Sequence, residues 1–394
     1  MMSKIEINAE YKGSYDVIVT GGGIAGISAA VAAARNGASV LLLEKTVNLG
    51  GLATGGLISW YEPLCDGEGN KIMCGIAEEL IRLAVKYGFD NLPEKWGGSG
   101  VNKPRNQRYS TFYSPCIFSA ALDDFVLESG AKIRFDTLGT IPIIKDGHCT
   151  SVVTESANGS ELFECKTLID ATGDASVSAR AGIPTIVGKN YMTYIAHYYD
   201  LGMTDVLATD KDVCHFRKWM NTGSDMFGNG HPERMNMLSG GTAEEVTEYI
   251  IAGKRSLINK IRNKDKNSFD IMSIPTMAQL RTIRRINGKS DFNAVCGETY
   301  SDSIGRCGDF RPDGAGKHYE IPFGALYCDG FDNIFAAGRI ISAPQGDGWE
   351  IARVIPVCAL TGEAAGRAAA LCAKRKTGPD SLTDDDIEKY IRVK

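Results

Sequence analysis

The chain has 394 residues, of which 43% are hydrophobic and 23% charged, and its formal net charge is -5, a balance typical of a soluble globular protein with about two domains. The acidic charge does not favour nucleic acid or an anionic membrane as a partner, and the apolar runs are far shorter than the ~20 residues that cross a bilayer. Because the first residues lack the apolar core of a signal peptide and the eleven cysteines are scattered, we expect a cytoplasmic protein with reduced thiols.

The first predicted elements surround a glycine-rich turn. Val17–Thr20 is a short run of apolar and β-branched residues, which predicts a buried strand. Gly21, Gly23 and Gly26 follow in the spacing G-x-G-x-x-G. In this pattern the first glycine permits the tight turn, the second lets the backbone approach a pyrophosphate, and the third lets the next helix pack closely. The alanine-rich residues 25–36 predict that helix, whose N-terminus attracts phosphate.

A second strand completes this unit. Val40–Leu43 is again apolar, and Glu44 follows it about 20 residues past the glycines, where a carboxylate accepts hydrogen bonds from ribose hydroxyls. An ordinary βαβ unit with a glycine-rich turn is the alternative interpretation. The register of strand, glycines, helix, strand and acidic residue favours a bound dinucleotide instead.

A second glycine-rich loop, residues 48–56, comes where a plain nicotinamide dehydrogenase would continue with a helix and a strand. Glu44-Lys45 followed by such a loop resembles the FAD-dependent oxidoreductases that have a Rossmann-like FAD domain. The resemblance implies that Glu44 binds the adenosine ribose and that the loop amides run along the pyrophosphate and ribityl chain. The cofactor-binding residues that it implies in this part of the chain are Gly21, Gly23, Ile24, Ala25, Gly26, Glu44, Lys45, Gly50, Gly51, Leu52, Ala53 and Thr54.

Later segments extend the same resemblance. Residues 131–135 predict a strand, and residues 141–145 and 150–155 predict a hairpin around Asp146-Gly147. A further strand leads to the sequence Asp-Ala-Thr-Gly-Asp at residues 170–174. Residues 333–339 predict another strand, and a long helix is predicted from about Arg353 to Ala373, with Pro356 in its first turn.

The resemblance extends along the whole chain. The chain is similar to the FAD dependent oxidoreductase domain family, which is distantly related to the succinate dehydrogenase and fumarate reductase flavoproteins. The resemblance implies that the 171–174 turn lies against the adenine and pyrophosphate side, and that the last long helix points its N-terminus at the flavin. The further cofactor residues that it implies are Leu138, Ala171, Thr172, Gly173, Asp174, Gly338, Arg353, Val354, Pro356 and Val357. The succinate dehydrogenase and fumarate reductase relatives usually carry a histidine soon after the glycine-rich loop for covalent attachment of the flavin, whereas the first histidine here is His148, so we expect non-covalent FAD.

The resemblance predicts an α/β fold, a Rossmann-like FAD-binding domain with an interleaved substrate or cap domain of mixed α+β structure. The FAD-binding domain is expected at residues 14–60, 126–187 and 326–394, and the substrate domain at 61–125 and 188–325. Within the latter, helical spacing predicts a helix at 76–87, and a capping sequence at Thr242 opens a helix that runs to Arg262.

Candidate catalytic residues are fewer. Arginines occur at positions 281, 284 and 285, and Arg281 or Arg285 is a candidate to bind a substrate carboxylate or stabilise developing charge. Salt bridges on a solvated face are the alternative. Arg353 is a second candidate, and so are His197, in an aromatic strand-like run, and His318. No metal-ligand spacing, C-x-x-C pair or second G-x-G-x-x-G after a strand is present.

The sequence therefore predicts a redox enzyme that transfers a hydride between flavin N5 and a small organic substrate, by reduction of an activated double bond or by dehydrogenation. The alternative is a protein that binds FAD without redox turnover, as a structural, sensing or biosynthetic module. The sequence identifies neither the substrate nor the electron donor or acceptor. A homo-oligomer is compatible with it.

Overall fold

The computed structural model describes residues 6–99, 108–211, 213–225 and 227–394. In chain order its strands are β1 (Glu10–Thr20), β2 (Val40–Leu43), β3 (Trp60–Tyr61), β4 (Thr111–Phe112), β5 (Lys132–Arg134), β6 (Leu138–Lys145), β7 (His148–Ser156), β8 (Gly159–Asp170), β9 (Thr185–Val187), β10 (Thr193–Asp200), β11 (Lys218–Gly223), β12 (Phe269–Ser273), β13 (Arg284–Ile286), β14 (Ser303–Gly308), β15 (His318–Pro322) and β16 (Ile334–Ala336). Its helices are α1 (Ile24–Arg35), α2 (Gly75–Lys86), α3 (Pro115–Glu128), α4 (Ser176–Ala181), α5 (Thr204–Asp210), α6 (Ala243–Ile261), α7 (Asp347–Ala352), α8 (Ile355–Arg375) and α9 (Asp384–Asp386).

A mixed sheet in the order β5-β2-β1-β8-β7-β6, with β16 also pairing with β8, forms the centre of the molecule. Strands β5, β2, β1, β8 and β16 run parallel, whereas β6, β7 and β8 form an antiparallel meander. Thr20 pairs with both Leu43 and Asp170, so β1, β2 and β8 end at the same level. The predicted α/β fold is therefore confirmed, and the loops that carry the glycine motifs meet at one edge of the sheet.

The hairpin predicted at Asp146-Gly147 is confirmed. It joins β6 to β7, and both turn residues have positive φ angles, 52° and 80°. Two consecutive positive φ angles are typical of the type I′ turn, whose twist matches that of the flanking strands. The meander that leads back to the central sheet is thus specified locally.

Helices α1 and α8 pack with their backbones in contact on one face of this sheet. A Cβ atom on Gly362 would lie 2.2 Å from the carbonyl oxygen of Ala25, and one on Gly366 would lie 2.2 Å from that of Ala29. Alanines fill the remaining interface and are fully buried. Because the two helices approach so closely, the start of α8 is fixed against the start of α1.

Helices α2 and α3 belong to the same layer. The predicted helix at 76–87 is confirmed as α2, which packs against α8 and α3. Helix α3 was not predicted, and it packs against α1 and β5. The carboxylate of Glu363 in α8 accepts a hydrogen bond from the backbone N–H of Ile76 at 2.7 Å, which ties α8 to the start of α2.

A smaller antiparallel sheet, in the order β11-β10-β12, has its own hydrophobic core with α6. The cap predicted at Thr242 is confirmed, since its side chain accepts a hydrogen bond from the N–H of Glu245 at 3.2 Å. Tyr249 of α6 donates to the carbonyl oxygen of Thr193 in β10. The domain boundaries given above stay predictions. None of the helices in the described ranges has the length and apolar character needed to cross a bilayer.

Candidate functional site

The glycines of the first turn have different structural requirements. Gly21 has a φ angle of 100°, and its Cβ would lie 2.5 Å from the carbonyl oxygen of Ala171. A Cβ on Gly26 would lie 1.8 Å from the carbonyl oxygen of Gly21. Gly23 is different, because its φ angle of -70° suits any residue and its Cβ would meet no atom within 4 Å. Protein packing therefore explains Gly21 and Gly26, whereas Gly23 leaves open space beside the N-terminus of α1.

That open space fits a pyrophosphate. The N-terminus of α1 has no side-chain cap and no acidic residue in its first turn. The first amides of a helix have no acceptors within the helix, and together with the helix dipole they attract phosphate. The described residues around Gly23 thus offer both the donors and the room that FAD requires.

Glu44 lies directly across the glycine turn and is only 8% exposed. One carboxylate oxygen accepts the N–H of Gly22 at 2.7 Å, and the other accepts the N–H and the hydroxyl of Thr46, both at 2.8 Å. A carboxylate offers about four acceptor positions, so one remains for a ribose hydroxyl. The N–H of Thr137 bonds the carbonyl oxygen of Glu44 at 3.0 Å, which places the neighbouring Leu138, 40% exposed, at the same edge.

The second glycine loop is attached to both parts of the molecule. The N–H of Gly50 donates to the carbonyl oxygen of Gly22 at 2.8 Å, and the hydroxyl of Tyr113 donates to the carbonyl oxygen of Ala53 at 2.8 Å. On the other side, the side-chain amide of Gln279 donates to the carbonyl oxygen of Gly56 at 2.7 Å. The loop that contains Gly51, Leu52 and Thr54 therefore lies between the central sheet and the smaller sheet.

The turn after β8 lies beside the first glycine turn, at the same edge of the central sheet. The N–H and hydroxyl of Thr172 both donate to Asp170, at 3.0 and 2.6 Å, and Ala171 contacts Gly21 as described above. Burial raises the pKa of the Asp174 carboxyl, but hydrogen bonds from Ser176 and Thr172 outweigh it, and together with the charge of Lys45 they lower the pKa below its usual value. An ionised Asp174 is thus stabilised next to the turn.

Arg339 holds this turn to the smaller sheet, and the sequence reasoning missed it. Its guanidinium donates to the carbonyl oxygens of Gly173 at 2.6 Å and Leu280 at 2.8 Å. Burial lowers the pKa of Arg339. Its position in the sequence could have identified it. Arg339 comes directly after Gly338, just past the end of β16, and the other parallel strands of the sheet also carry candidate site residues just past their ends.

The N-terminus of α8 meets that of α1. Val354 is its N-cap residue without a side-chain cap, and Pro356 lies in the first turn, as predicted. The N–H of Gly338 donates to the hydroxyl of Thr361 at 3.0 Å, and a Cβ on Gly338 would lie 2.8 Å from that of Ala25. Val357 is buried behind this turn. Two uncapped helix N-termini therefore converge on one region, which carries a partial positive charge.

A cavity of about 210 Å³ lies beside the start of α8. Its walls come from the second glycine loop, from α8 and from the smaller sheet. The lining residues are Leu52, Ile58, Trp60, Glu62, Thr193, Ile195, Trp219, Gln279, Arg281, Phe310, Arg339, Arg353, Val354 and Ile355. The described lining thus holds three arginines and one glutamate against an aromatic and aliphatic background. It is a positively charged cavity between the two sheets.

The arginines of the cavity differ in what they bind. Arg353 donates to Glu350 from Nε at 3.0 Å and also from Nη2, and its guanidinium lies 5.8 Å from the ring centroid of Phe310. The guanidinium of Arg281 has no hydrogen-bond or ion-pair partner within the described part of the chain. Burial, followed by repulsion from Arg353, lowers the pKa of Arg281. Among the arginines of the described lining, Arg281 is therefore the one whose guanidinium has no hydrogen-bond acceptor.

The structure separates the other members of the predicted arginine cluster from the cavity. The guanidinium of Arg285, one of the candidate catalytic residues, donates to the hydroxyl of Ser342 at 3.3 Å and to Asp291 at 3.4 Å, and it lies over the ring of Trp349. Arg284 donates to the carbonyl oxygen of Gly241 at 3.4 Å. Arg284 and Arg285 both belong to β13, which directs their adjacent side chains to opposite faces.

Neither predicted histidine lines the described cavity. His197 in β10 is fully buried, with Nε2 3.2 Å from the carbonyl oxygen of Leu57, and its Nδ1 has no hydrogen-bond partner among the described residues. Burial and the nearby Arg217 lower its pKa to about 4, so it is neutral near pH 7. Its ring is stacked on Trp219, which does line the cavity. His318 is at the start of β15 and half-buried.

Comparison with known proteins gives one family. The model of the family described as FAD dependent oxidoreductase matches residues 16–277 and 296–391. Among curated proteins, digeranylgeranylglycerophospholipid reductase 2 of Methanothermobacter thermautotrophicus is 29% identical over 186 residues, 43% of each chain. The thiamine thiazole synthase of Methanococcus vannielii is 28% identical over 44% of this chain and 60% of its own. The chain spans about half the length of the curated relatives it matches.

Solved structures give a weaker likeness. A geranylgeranyl bacteriochlorophyll reductase-like protein of Thermoplasma acidophilum is 14% identical with a TM-score of 0.48, and the match covers 96% of this chain and 83% of that one. The p-nitrophenol 4-monooxygenase of Pseudomonas putida is 12% identical with a TM-score of 0.49, covering 96% and 84%.

Proposed function

Because the chain belongs to the FAD dependent oxidoreductase family, we propose that it binds FAD non-covalently and exchanges a hydride between flavin N5 and a small organic substrate in the cavity beside α8. The observation that carries the proposal is the cavity itself. Its walls combine residues of the predicted cofactor elements, such as Leu52 and Val354, with residues of the smaller sheet. A substrate there would be enclosed by both parts of the molecule, next to the cofactor.

The protein residues have separate parts in this proposal. Gly23 and the N-terminus of α1 would hold the pyrophosphate, and Glu44 the adenosine ribose. Bound FAD supplies two-electron chemistry at N5. The N-terminus of α8, at Val354 and Ile355, would stabilise negative charge on the reduced cofactor through its amides and dipole. The guanidinium of Arg281 or Arg353 would stabilise charge that develops on the substrate.

The size of the cavity supports a small substrate. Pockets for drug-sized ligands usually enclose about 300–1,000 Å³, and the described cavity encloses about 210 Å³. The name of the curated archaeal relatives indicates a phospholipid with two long chains. We propose a small organic molecule, rather than such a lipid, as the substrate. Both directions of hydride transfer, reduction of an activated double bond and dehydrogenation, are compatible with these walls.

Two measurements test the proposal. The purified protein should show flavin absorbance near ~450 nm, and acid precipitation should release FAD into the supernatant. Flavin that stays with the precipitate would contradict non-covalent binding. The flavin should then be bleached anaerobically with dithionite and mixed with a panel of organic acids, enones and sugars. At least one compound should reoxidise the bleached flavin faster than buffer does. Alternatively, when the panel is added to protein with oxidised flavin, at least one compound should reduce that flavin. If no member of a broad panel does either, FAD binding without turnover becomes the better account.

A further inference from the structure

We propose that the cavity beside α8 is a carboxylate-binding site, that Arg281 is its specificity-determining residue, and that its ligand is a small organic acid with a flat, apolar body. This proposal rests on the proposed function, because it names the substrate class for the same cavity. It assigns one residue and one chemical group, and it is tested by binding alone.

The walls of the cavity differ in how their charges are paired. Three guanidinium groups and one carboxylate line the described cavity, so its walls carry an excess of positive charge. Glu350 compensates Arg353 with two hydrogen bonds to the same carboxylate oxygen. Arg339 donates to two backbone carbonyl oxygens, which fix its direction. Only the Arg281 guanidinium, within the part of the chain that the structure describes, is left without an acceptor.

The charged form of Arg281 is disfavoured by its surroundings. A cation taken out of water without an acceptor is destabilising, and proteins normally pair it. Arg281 is partly buried, and burial together with Arg353 already disfavours its charged form. A bound carboxylate relieves both effects, because it accepts two parallel N–H bonds from a guanidinium. The backbone of Arg281 is anchored beside the cavity, since its N–H donates to the side chain of Asn190 at 2.8 Å.

The apolar part of the cavity lining is largely aromatic. Trp60, Trp219 and Phe310 are lining residues, together with the aliphatic Ile58 and Ile195. Aromatic walls favour flat ligands because ring faces stack with an offset. The remaining polar groups are few, as expected for a pocket in which a small number of them orient the ligand. A planar conjugated acid matches both the charge and the walls.

The experiment uses the full chain saturated with FAD. Benzoate and trans-cinnamate are titrated into the protein, and their uncharged amides, benzamide and cinnamamide, are titrated in parallel. Binding is followed by calorimetry and by the shift of the flavin absorbance band. At least one acid should bind at least tenfold more tightly than its amide. If neither acid binds, or if the acids and amides bind equally, the carboxylate site is refuted.

Variants locate the site. Arg281→Gln should weaken binding of the acid roughly ten- to a hundredfold and leave binding of the amide unchanged, since it removes charge-assisted hydrogen bonds. Arg281→Lys keeps the charge without the planar pair of donors and should recover part of the preference. Arg284→Gln is the matched control, because Arg284 is three positions away and reaches Gly241 instead. It should bind the acid as the unchanged protein does.

Two further outcomes keep this proposal separate from the proposed function. If Arg281→Gln and Arg281→Lys lose FAD while the control variant retains it, Arg281 serves the cofactor and the substrate-acid assignment is overturned. If the acids bind with the expected preference but no acid, enone or sugar exchanges electrons with the flavin, the binding site stands and the redox proposal fails.

Discussion

Replacing Gly23 with alanine separates the stability of the fold from the binding of FAD. At this position φ is -70°, and an added Cβ would meet no protein atom within 4 Å. The substitution should therefore stabilise the FAD-free protein by about 0.4–1 kcal/mol, because alanine restricts the unfolded chain more than glycine does. The same methyl group would occupy the space that we assign to the pyrophosphate.

The expected loss of FAD binding follows from the donors at the start of α1. A methyl group at Gly23 pushes the phosphate away from these amides, and a hydrogen bond to a charged group contributes about 1.5–3 kcal/mol. Loss of one such bond weakens binding about ten- to a hundredfold, at 1.4 kcal/mol for each factor of ten. Gly26→Ala is the contrasting variant. Its Cβ would lie 1.8 Å from the carbonyl oxygen of Gly21, so overpacking should cost about 1–3 kcal/mol or more of stability.

Both quantities are measured on protein from which FAD has been removed. Urea unfolding gives the free energy of unfolding, and quenching of flavin fluorescence during titration gives the dissociation constant. Gly23→Ala should unfold at the same or a higher urea concentration than the unchanged protein and bind FAD more weakly. A Gly23→Ala protein that binds FAD normally would refute the placement of the pyrophosphate at α1. A Gly26→Ala protein of normal stability would refute the packing argument.

Two further variants test other parts of the site. Glu44→Ala should weaken FAD retention about ten- to a hundredfold through loss of charge-assisted hydrogen bonds, measured by fluorescence titration; retention equal to that of the unchanged protein would mean that another group binds the ribose. His197 should make the stability of the fold depend on pH. Its pKa is about 4 in the folded chain and about 6.5 in the unfolded chain. Because the unfolded state binds more protons between these two values, the free energy of unfolding falls as the pH falls from 6.5 to 4. Between pH 7.5 and 5 this amounts to about 2 kcal/mol, and the urea midpoint of His197→Gln should show a correspondingly smaller dependence on pH, whereas an unchanged dependence would assign the effect to other groups.

The arrangement of the glycine turn, α1 and Glu44 was predictable because its determinants are local. The glycine spacing, the strands on either side and Glu44 all lie within about one βαβ unit, where chain direction alone places them together. Helix α2 was predictable from its apolar spacing. Helix α3 carried a comparable signal, a Ser-Pro start at residues 114–115 and buried Phe118 and Leu122 on one face, but it was not identified.

The charged side of the cavity was less predictable because it depends on tertiary contacts. Three arginines within five positions have the same local signal, and only the start of β13 decides that Arg285 turns towards Trp349 while Arg281 lines the cavity. Arg339 acts through Gly173 and Leu280, which lie far from it in sequence. No local pattern specifies which distant carbonyl groups a guanidinium reaches.

The backbone contact between α1 and α8 also determines when the protein can become functional during its synthesis. The bond between Glu363 and Ile76 joins residues 287 positions apart, and the glycines of α8 meet α1 across an even longer stretch of chain. Contacts between distant residues form slowly, because a long loop must close first. Until α8 has left the ribosome, the face of α1 that α8 covers in the folded chain stays uncovered. A nascent chain that ends before residue 355 also lacks one of the two converging helix N-termini. The proposed binding of FAD would therefore require that α8 has been made, and stalled or truncated chains are expected to expose an apolar helix face and to depend on chaperones.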